Sequence, residues 1–332
     1  MESTALTAVV TTRNRLGLLR STLGSILDQR GVEIAVIVVD EGSRDGTQEF
    51  LEGLDDERVT VLRNDRPLGV SGARNAGIAR ATTDWVAICD DDDLWSPTKV
   101  RSQLQALASR ADARWAVAGT VLVDGNLDII GYRTMQSDGD TLAGLLTGNT
   151  VPATSGLLFD RRLFDEVGGF EDDLTESEDW DLVIRLARAS AVAVADGPHV
   201  AYRIAGAGSS SMTHRMRRSF ELLRDRYGEL AAEKGVEFDA HGYELYLAQQ
   251  ALKADERITA ARCYGRLAIW DRSPAHAVRA VGALVSPRTM DRVGDRRAAA
   301  RVPREWLLEA ERWLASVPVL EALPQAGEGA PR

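Results

Sequence analysis

Apolar residues recur along this chain with two different periods. LTAVVTT (6–12), IAVIVVD (34–40), RVTVLRN (58–64) and DWVAICD (84–90) are compact runs of strand length. The second is almost wholly β-branched, as a parallel strand covered on both faces requires. Between them, LGLLRSTLGSILDQ (16–29) carries leucine and isoleucine every three or four positions, which is helical spacing. SGARNAGIARAT (71–82) reads as a small-residue helix with Ser71 placed to cap it. Strand and helix in alternation predict right-handed crossovers and a mostly parallel sheet.

The rhythm continues through the strand-like WAVAGTVLVD (115–124) and SGLLFD (155–160), then the helical SEDWDLVIRLARAS (177–190). AVAVADGPHVAYRI (191–204) reads as one or two strands. The small-residue stretch AGAGSSS (205–211) marks a break, after which helical patterns follow one another. The last, VPREWLLEAERWLASV, has Pro303 at its start, where a missing N–H costs nothing. The chain therefore divides into an α/β domain over 1–210, a helical region over 211–318 and a flexible tail over 319–332. The helical region is expected to bind an acceptor, to self-associate into a homodimer, or both.

Composition narrows the class. Two cysteines, Cys89 and Cys263, have no metal or redox spacing and exclude a disulfide-stapled fold; Cys89 reads as a buried thiol. No apolar run of 18 residues occurs and the N-terminus has no leader pattern, so a soluble cytoplasmic protein is expected. The net charge of −10 argues against a nucleic-acid partner. There is no zinc pattern around the four histidines, no dinucleotide or phosphate-loop fingerprint, and no GxSxG elbow.

Chemistry concentrates at one predicted edge. Ligands of parallel α/β sheets collect beyond the carboxyl ends of the strands, and three polar clusters sit there: TTRN, DEGSRDG and DDDD (90–93). Asp90 and Asp92 flank Asp91, a spacing that can direct carboxylates at a hard cation such as Mg²⁺ or Mn²⁺. A solvated capping turn before the following helix is the bland alternative.

The ordered set VVTTRNR, VIVVDEGSRDGT, PLGVSGARNAGIARATTDWVAICDDDDLWSP, GLLFDRRLFDEVGGFEDDLTESEDWDLVIRLA and AYRI resembles the family 2 glycosyltransferases, over about residues 5 to 210. That resemblance implies a GT-A fold, Rossmann-like with a mostly parallel central sheet, here followed by a C-terminal α-helical region. It also implies a nucleotide-sugar donor and transfer with inversion. Carried over residue by residue, Thr11 and Arg13 lie beside the nucleotide. Asp40 reads the base, favouring a UDP-sugar with a dTDP-sugar next, and Gly42 and Ser43 complete its turn. Arg74 approaches the nucleotide phosphates. Asp90 is the ribose or sugar-side contact, Asp91 the variable middle of the DxD pattern, and Asp92 the ligand of Mn²⁺ or Mg²⁺. Asp93 orients the donor or caps the next helix.

In SEDWD, Asp179 matches the family's catalytic base. Glu178 positions donor or acceptor, and Asp181 holds the loop or neighbouring basic groups, also as a positioning residue. Trp180 forms an acceptor-side wall or belongs to the core. Ser177 as a plain helix cap, with acids in the first turn, is the bland alternative. One departure stands out: many relatives carry a histidine after the tyrosine–arginine pair, and Ala205 occupies that position here, leaving His199 or His214 as substitutes. QxxRW is absent, which argues against a processive synthase. Glycan, lipid-linked, peptide and natural-product acceptors stay open. The alternative function is a non-catalytic GT-A-like binding or scaffold module.

Overall fold

The computed structural model describes residues 4–135, 139–174, 176–204, 210–285, 301–318 and 320. The α/β part runs β1 (Ala5–Thr12), α1 (Leu16–Leu27), β2 (Glu33–Asp40), α2 (Thr47–Glu52), β3 (Val59–Arg63), α3 (Gly69–Ile78), β4 (Trp85–Asp90), β5 (Leu94–Trp95), α4 (Lys99–Ala108) and β6 (Ala113–Val123). It continues with β7 (Ile129–Arg133), α5 (Thr141–Thr147), a 3₁₀ turn (Thr154–Gly156), β8 (Leu158–Asp160), α6 (Arg161–Glu166), α7 (Glu178–Ala189) and β9 (Ala191–Arg203). Among the described residues five helices follow: α8 (Ser210–Glu233), α9 (Ala240–Lys253), α10 (Arg257–Trp270), α11 (Pro274–Val285) and α12 (Arg304–Leu314).

The strands form a single sheet in the order β3-β2-β1-β4-β8-β6-β9-β5, with β7 paired to β6. The pairings set β1, β2, β3, β4, β6 and β9 in one direction and the short β5, β7 and β8 against them. The mostly parallel GT-A-like sheet is therefore present, with reversals that the sequence pattern did not disclose. β5, a two-residue strand inside the expected turn, and β7 escape periodicity because both are too short for it.

Alternation along the strands explains the two-sided core. Val9, Ile37, Val39 and Ile88 face one apolar cluster, which α3, α5, α7 and α8 cover. Val10, Val36, Val38 and Cys89 face the other, covered by α1 and α4. Register then fixes the functional edge: Thr11 is level with Asp90, and Thr12 with Asp40.

The helical region is not one packing unit. Phe220, Leu223 and Tyr227 of α8 belong to the sheet's own apolar cluster. Residues of α9, α10 and α11 build a smaller one with Met216. α12 returns to the far end of the sheet, where Trp306 packs with Leu94, Val121 and Ala201. Trp313 Nε1 donates to the Pro198 carbonyl at 2.9 Å. The expected break at 205–209 and most of the 319–332 tail lie outside the described residues; Leu320 N donates to the Arg20 carbonyl.

Ser71 does not cap α3. The helix begins at Gly69, earlier than its polar signal, with Leu68 as N-cap. Its free N–H groups are satisfied from elsewhere: the Glu41 carboxylate at the end of β2 accepts from Leu68 N at 2.6 Å and Gly69 N at 3.0 Å. α3 lies so close to the sheet that a Cβ at Gly77 would stand 2.5 Å from Val9 Cγ1 and 3.0 Å from Val39 Cγ2. Glycine to alanine inside a helix is ordinarily stabilising; here overpacking should win. Gly77→Ala is expected to lower stability by about 1–3 kcal/mol in urea denaturation. An unchanged or raised midpoint would reject the close-packing account.

Candidate active site

The four aspartates after β4 have four different environments. Asp90 ends the strand, and its Oδ1 accepts from Arg74 at 2.6 Å. Asp91 is buried, and accepts from Thr12 Oγ1 at 2.7 Å and from Arg15 at 3.0 Å. Asp92 faces the cleft and accepts from the same Arg15 guanidinium at 2.8 Å. Asp93 is fully buried, accepting from Ser155 Oγ at 2.6 Å and from Arg203 N at 3.0 Å. Burial pushes the Asp92 carboxyl up to about 6, with the Asp90 charge adding to the effect and Arg15 opposing it. Asp93 is raised well above the usual range, first by burial and then by Asp90.

These contacts correct one expectation. Asp93 does not cap a helix: α4 starts at Lys99 with Thr98 as N-cap. Asp93 instead fastens the turn to the 3₁₀ turn and to the end of β9. The Thr22 hydroxyl adds a second tie, placed 2.9 Å from the carbonyls of both Asp91 and Asp93.

Arg74 connects this turn to α7. Its guanidinium is buried and gives its other arm to Glu178 Oε1 at 2.7 Å. Burial alone would lower its affinity for a proton; Asp90 and Glu178 outweigh that and raise it. Glu178 is itself raised by burial, against the pull of Arg74. Ser177, with φ of 63°, starts the helix in the left-handed region and makes no side-chain cap. Asp179 is half-buried; its Oδ2 accepts from Thr154 Oγ1 at 2.8 Å. That leaves lone pairs open toward the cleft.

The next two residues turn away. Trp180 is buried in the core rather than forming an acceptor wall, with Nε1 donating to the Leu145 carbonyl at 2.7 Å and Phe220, Phe238 and Tyr243 around its ring. Asp181 is fully buried, and accepts from Arg185, from Arg226 at 2.7 Å and from Tyr227 at 2.8 Å. It holds neighbouring basic groups, one of the roles expected of it.

At the end of β2, Asp40 is buried. Its Oδ1 accepts from Ser43 N at 2.9 Å and its Oδ2 from Arg63, a residue sequence reasoning passed over. Ser43 is buried and accepts from Asn14 N at 2.9 Å, which ties the first two loops together. Asn14 has φ of 54°. That turn leaves Arg13 exposed, without a hydrogen bond to any described residue, and brings Arg15 onto the aspartates instead. Thr11 is half-buried beside Asp90. The basic signal in TTRNR was real, but two positions separate the residue chosen from the one that pairs.

The profile of glycosyl transferase family 2 matches residues 7–168, a stretch that carries β1 to β8 and the whole acidic turn. The chain carries a family 2 glycosyltransferase domain. It is similar to the succinoglycan biosynthesis protein ExoO of Rhizobium meliloti, 34% identical over 46% of this chain and 43% of that protein. The chain spans about half the length of the curated relatives it matches. In fold it is similar to S. aureus TarS 1–349, with a TM-score of 0.53 at 16% identity over 89% and 90% of the two chains. The mannosyltransferase PcManGT of Pyrobaculum calidifontis, in complex with GDP-Man and Mn²⁺, gives 0.50 at 20% identity over 92% and 86%.

Among the described residues, no group of three or more histidine, cysteine or acidic side chains is arranged to hold a metal ion. The family 2 domain does present a partial donor set: Asp92 keeps one carboxylate oxygen, and Asp90 keeps another, without a hydrogen bond to a described residue. Hard divalent ions accept one or two carboxylates and complete their shell with phosphates and water, so this donor chemistry fits Mg²⁺ or Mn²⁺. His199 does not replace the histidine missing at Ala205, a residue outside the described ones. It is buried against Ser96, with Nε2 on the Asp196 carbonyl, and burial lowers it to about 4. His214 is exposed on α8.

Beneath the acidic turn of the family 2 domain lies Lys99, fully buried with its Nζ 3.7 Å from the Trp95 ring centroid and no hydrogen-bond partner. Burial lowers it from 10.5 to about 7. The unfolded chain therefore binds a proton between those values that the folded chain does not. The penalty on folding is full below pH 7 and fades as pH rises toward 10.5. Lys99→Met is expected to stabilise by about 3 kcal/mol at pH 6, taking roughly 5 from the displaced pKa less about 2 from the lost cation–π contact. Thermal melts should show the gain shrinking by pH 10; a gain independent of pH, or a loss at pH 6, would count against a charged buried lysine.

Proposed function

We propose that this chain is an inverting glycosyltransferase that moves a sugar from a nucleoside-diphosphate donor to an acceptor hydroxyl, with Asp179 as the base. The observation that carries the reading is the Arg74 bridge. One buried guanidinium joins Asp90, on the donor side, to Glu178, next to the base, so both ends of a single displacement open into one cleft. Thr154 fixes the Asp179 carboxylate by donating to Oδ2, and half-exposure leaves it reachable by an acceptor. Asp92, with Asp90, would hold Mn²⁺ or Mg²⁺. Bound there, the ion supplies positive charge against the diphosphate as it leaves.

Asp179 takes the proton of the attacking hydroxyl while the bond between the sugar C1 and the diphosphate breaks on the opposite face, which inverts C1. Arg15 and Arg203, beside Asp92, add fixed positive charge at the same edge. For the base, a uracil or thymine imide N–H suits a carboxylate acceptor at Asp40, which keeps UDP first and dTDP next. The carboxylate is engaged with Arg63, so a nucleobase must use its remaining lone pairs. Structures sharing this fold include one with UDP and one with GDP-Man, so the fold alone does not select the base.

A donor and acceptor screen read by NMR of the product supplies the assay and the anomeric configuration. Asp179→Asn should then keep calorimetric affinity for UDP with Mn²⁺ while transfer falls about 10²–10⁴-fold, the scale of a positioned base. Transfer at the parental rate would remove Asp179 from that role. Loss of UDP binding in the same variant would make Asp179 part of the donor site instead. Asp92→Asn should weaken UDP binding in Mn²⁺ but leave the metal-free affinity unchanged; equal losses in both conditions would take Asp92 out of the metal shell. A clear calorimetric preference for GDP over UDP would overturn the uracil-type reading of Asp40.

A further inference from the structure

Among the described residues, exposed apolar side chains concentrate in one place. Of the eleven large hydrophobic residues exposed among those described, seven belong to α10 and α11. The two helices lie side by side in opposite directions: Ile258, Ala261 and Arg262 from the start of α10 line one groove with Ala280, Val281 and Leu284 from the end of α11. Along the same pair stand Ile269, Val278 and Val285, each at least 70% exposed, with Trp270 at the end of α10. Within α11 only Ala283 is fully buried. A surface helix of a globular protein ordinarily shows water its polar face; this one shows valine and leucine.

The helix pair is basic in a chain that is acidic overall. Residues 257–285 contain five arginines against the single Asp271, while the whole chain carries −10. Asp271 is engaged by His241 and His276 at 2.8 and 2.9 Å. Arg257 and Arg266 are paired with Asp255 and Glu244. Arg262, Arg272 and Arg279 are exposed and form no ion pair with a described residue. Arg262 stands directly on the apolar groove.

We propose that the α10–α11 face docks on an anionic lipid bilayer surface. Valine, leucine, isoleucine and tryptophan would enter the boundary between headgroups and acyl chains, and Arg262 would reach back to the lipid phosphates. The charge selects this occupant over a second copy of the chain, because a twofold contact would press the unpaired Arg262 of each copy toward the other as water leaves. It selects it over nucleic acid as well, since a phosphate backbone offers nothing to six exposed aliphatic side chains. The helices have 14 and 12 residues, or about 20 Å each, short of the roughly 30 Å hydrocarbon core. No described helix is long and apolar enough to cross a membrane. The pair would therefore lie on the bilayer, one helix layer from α7: α9 packs against α10 and sets Tyr243 beside Trp180.

The experiment is co-sedimentation of the full chain with vesicles of phosphatidylcholine alone or mixed equally with phosphatidylglycerol, at about 0.15 M salt. It does not depend on the donor or the acceptor. The parent should bind the anionic vesicles and not the neutral ones. Arg262→Gln should weaken that binding about 5-fold, from one lost headgroup charge. Val281→Asp should abolish it; the side chain is solvent-exposed, so thermal melts should match the parent. Absence of binding by the parent, equal binding to neutral vesicles, or binding indifferent to both variants would each overturn the proposal. So would a dimer in light scattering that Val281→Asp dissociates while vesicle binding is absent.

Discussion

Carboxylates crowded at the end of one strand fold only with cations buried among them or with protons taken up. Two like charges 4 Å apart repel by about 4 kcal/mol at the effective dielectric of a protein surface, and Asp90 to Asp93 with Glu178 and Asp179 multiply that term. Arg74 is the group that makes the arrangement tenable. It is buried, and it spends one arm on each of the two acidic segments. A lysine could not do this, because a point charge on a flexible stem has no rigid fork to span two carboxylates. Arg15 performs the same task nearer solvent, between Asp91 and Asp92.

The backbone around the cleft follows from where that guanidinium must stand. α3 has to press against β1 and β2, and Gly77, one turn past Arg74, removes the side chain that would hold it off. α7 has to start with Glu178 facing inward, and the left-handed φ of Ser177 turns the chain sharply enough to do so. A non-glycine residue there is held in a sparsely populated region, a strain the surrounding contacts must maintain. The two sides of α7 then diverge. Glu178 and Asp179 look into the cleft, while Trp180 and Asp181 look into the helices that follow.

Much of this was legible before any coordinates. The strand–helix alternation, the parallel sheet and the edge where the acidic turns gather all follow from apolar period and chain order. Residues at the strand ends were easiest to place, because each apolar run stops at its polar cluster; the register that sets Thr11 level with Asp90 and Thr12 level with Asp40 came from the fold. What sequence could not supply were the long-range partners. Arg63, Thr154 and Ser155 sit in segments with no polar pattern of their own, and only the fold brings them to Asp40, Asp179 and Asp93. Arg13 was preferred to Arg15 because nothing in TTRNR reveals that Asn14 turns left-handed. Glu41 was read as part of a turn, yet it caps α3 from the next strand over. Asp93 and Asp181 looked like site residues because charge density marks a cleft and a buried ion network in the same way.

Asp181 also settles how the helical region should be regarded. Its carboxylate accepts from Arg226 and Tyr227 of α8, and Phe220 of the same helix packs on Trp180. Removing those partners would leave a fully buried charge supported by Arg185 alone, and breaking a buried pair costs about 3–5 kcal/mol. That is a large share of the stability of any domain. The helix that carries the candidate base is thus built jointly by the sheet on one side and by α8 and α9 on the other. Truncation at residue 210 would not separate catalysis from acceptor binding, because it would dismantle α7. Helices α10 and α11 are different: they touch this network only through α9 and the Met216–Arg217 stretch of α8, and their outer face contributes nothing to it. Selection for stability therefore does not account for the apolar and basic character of that face.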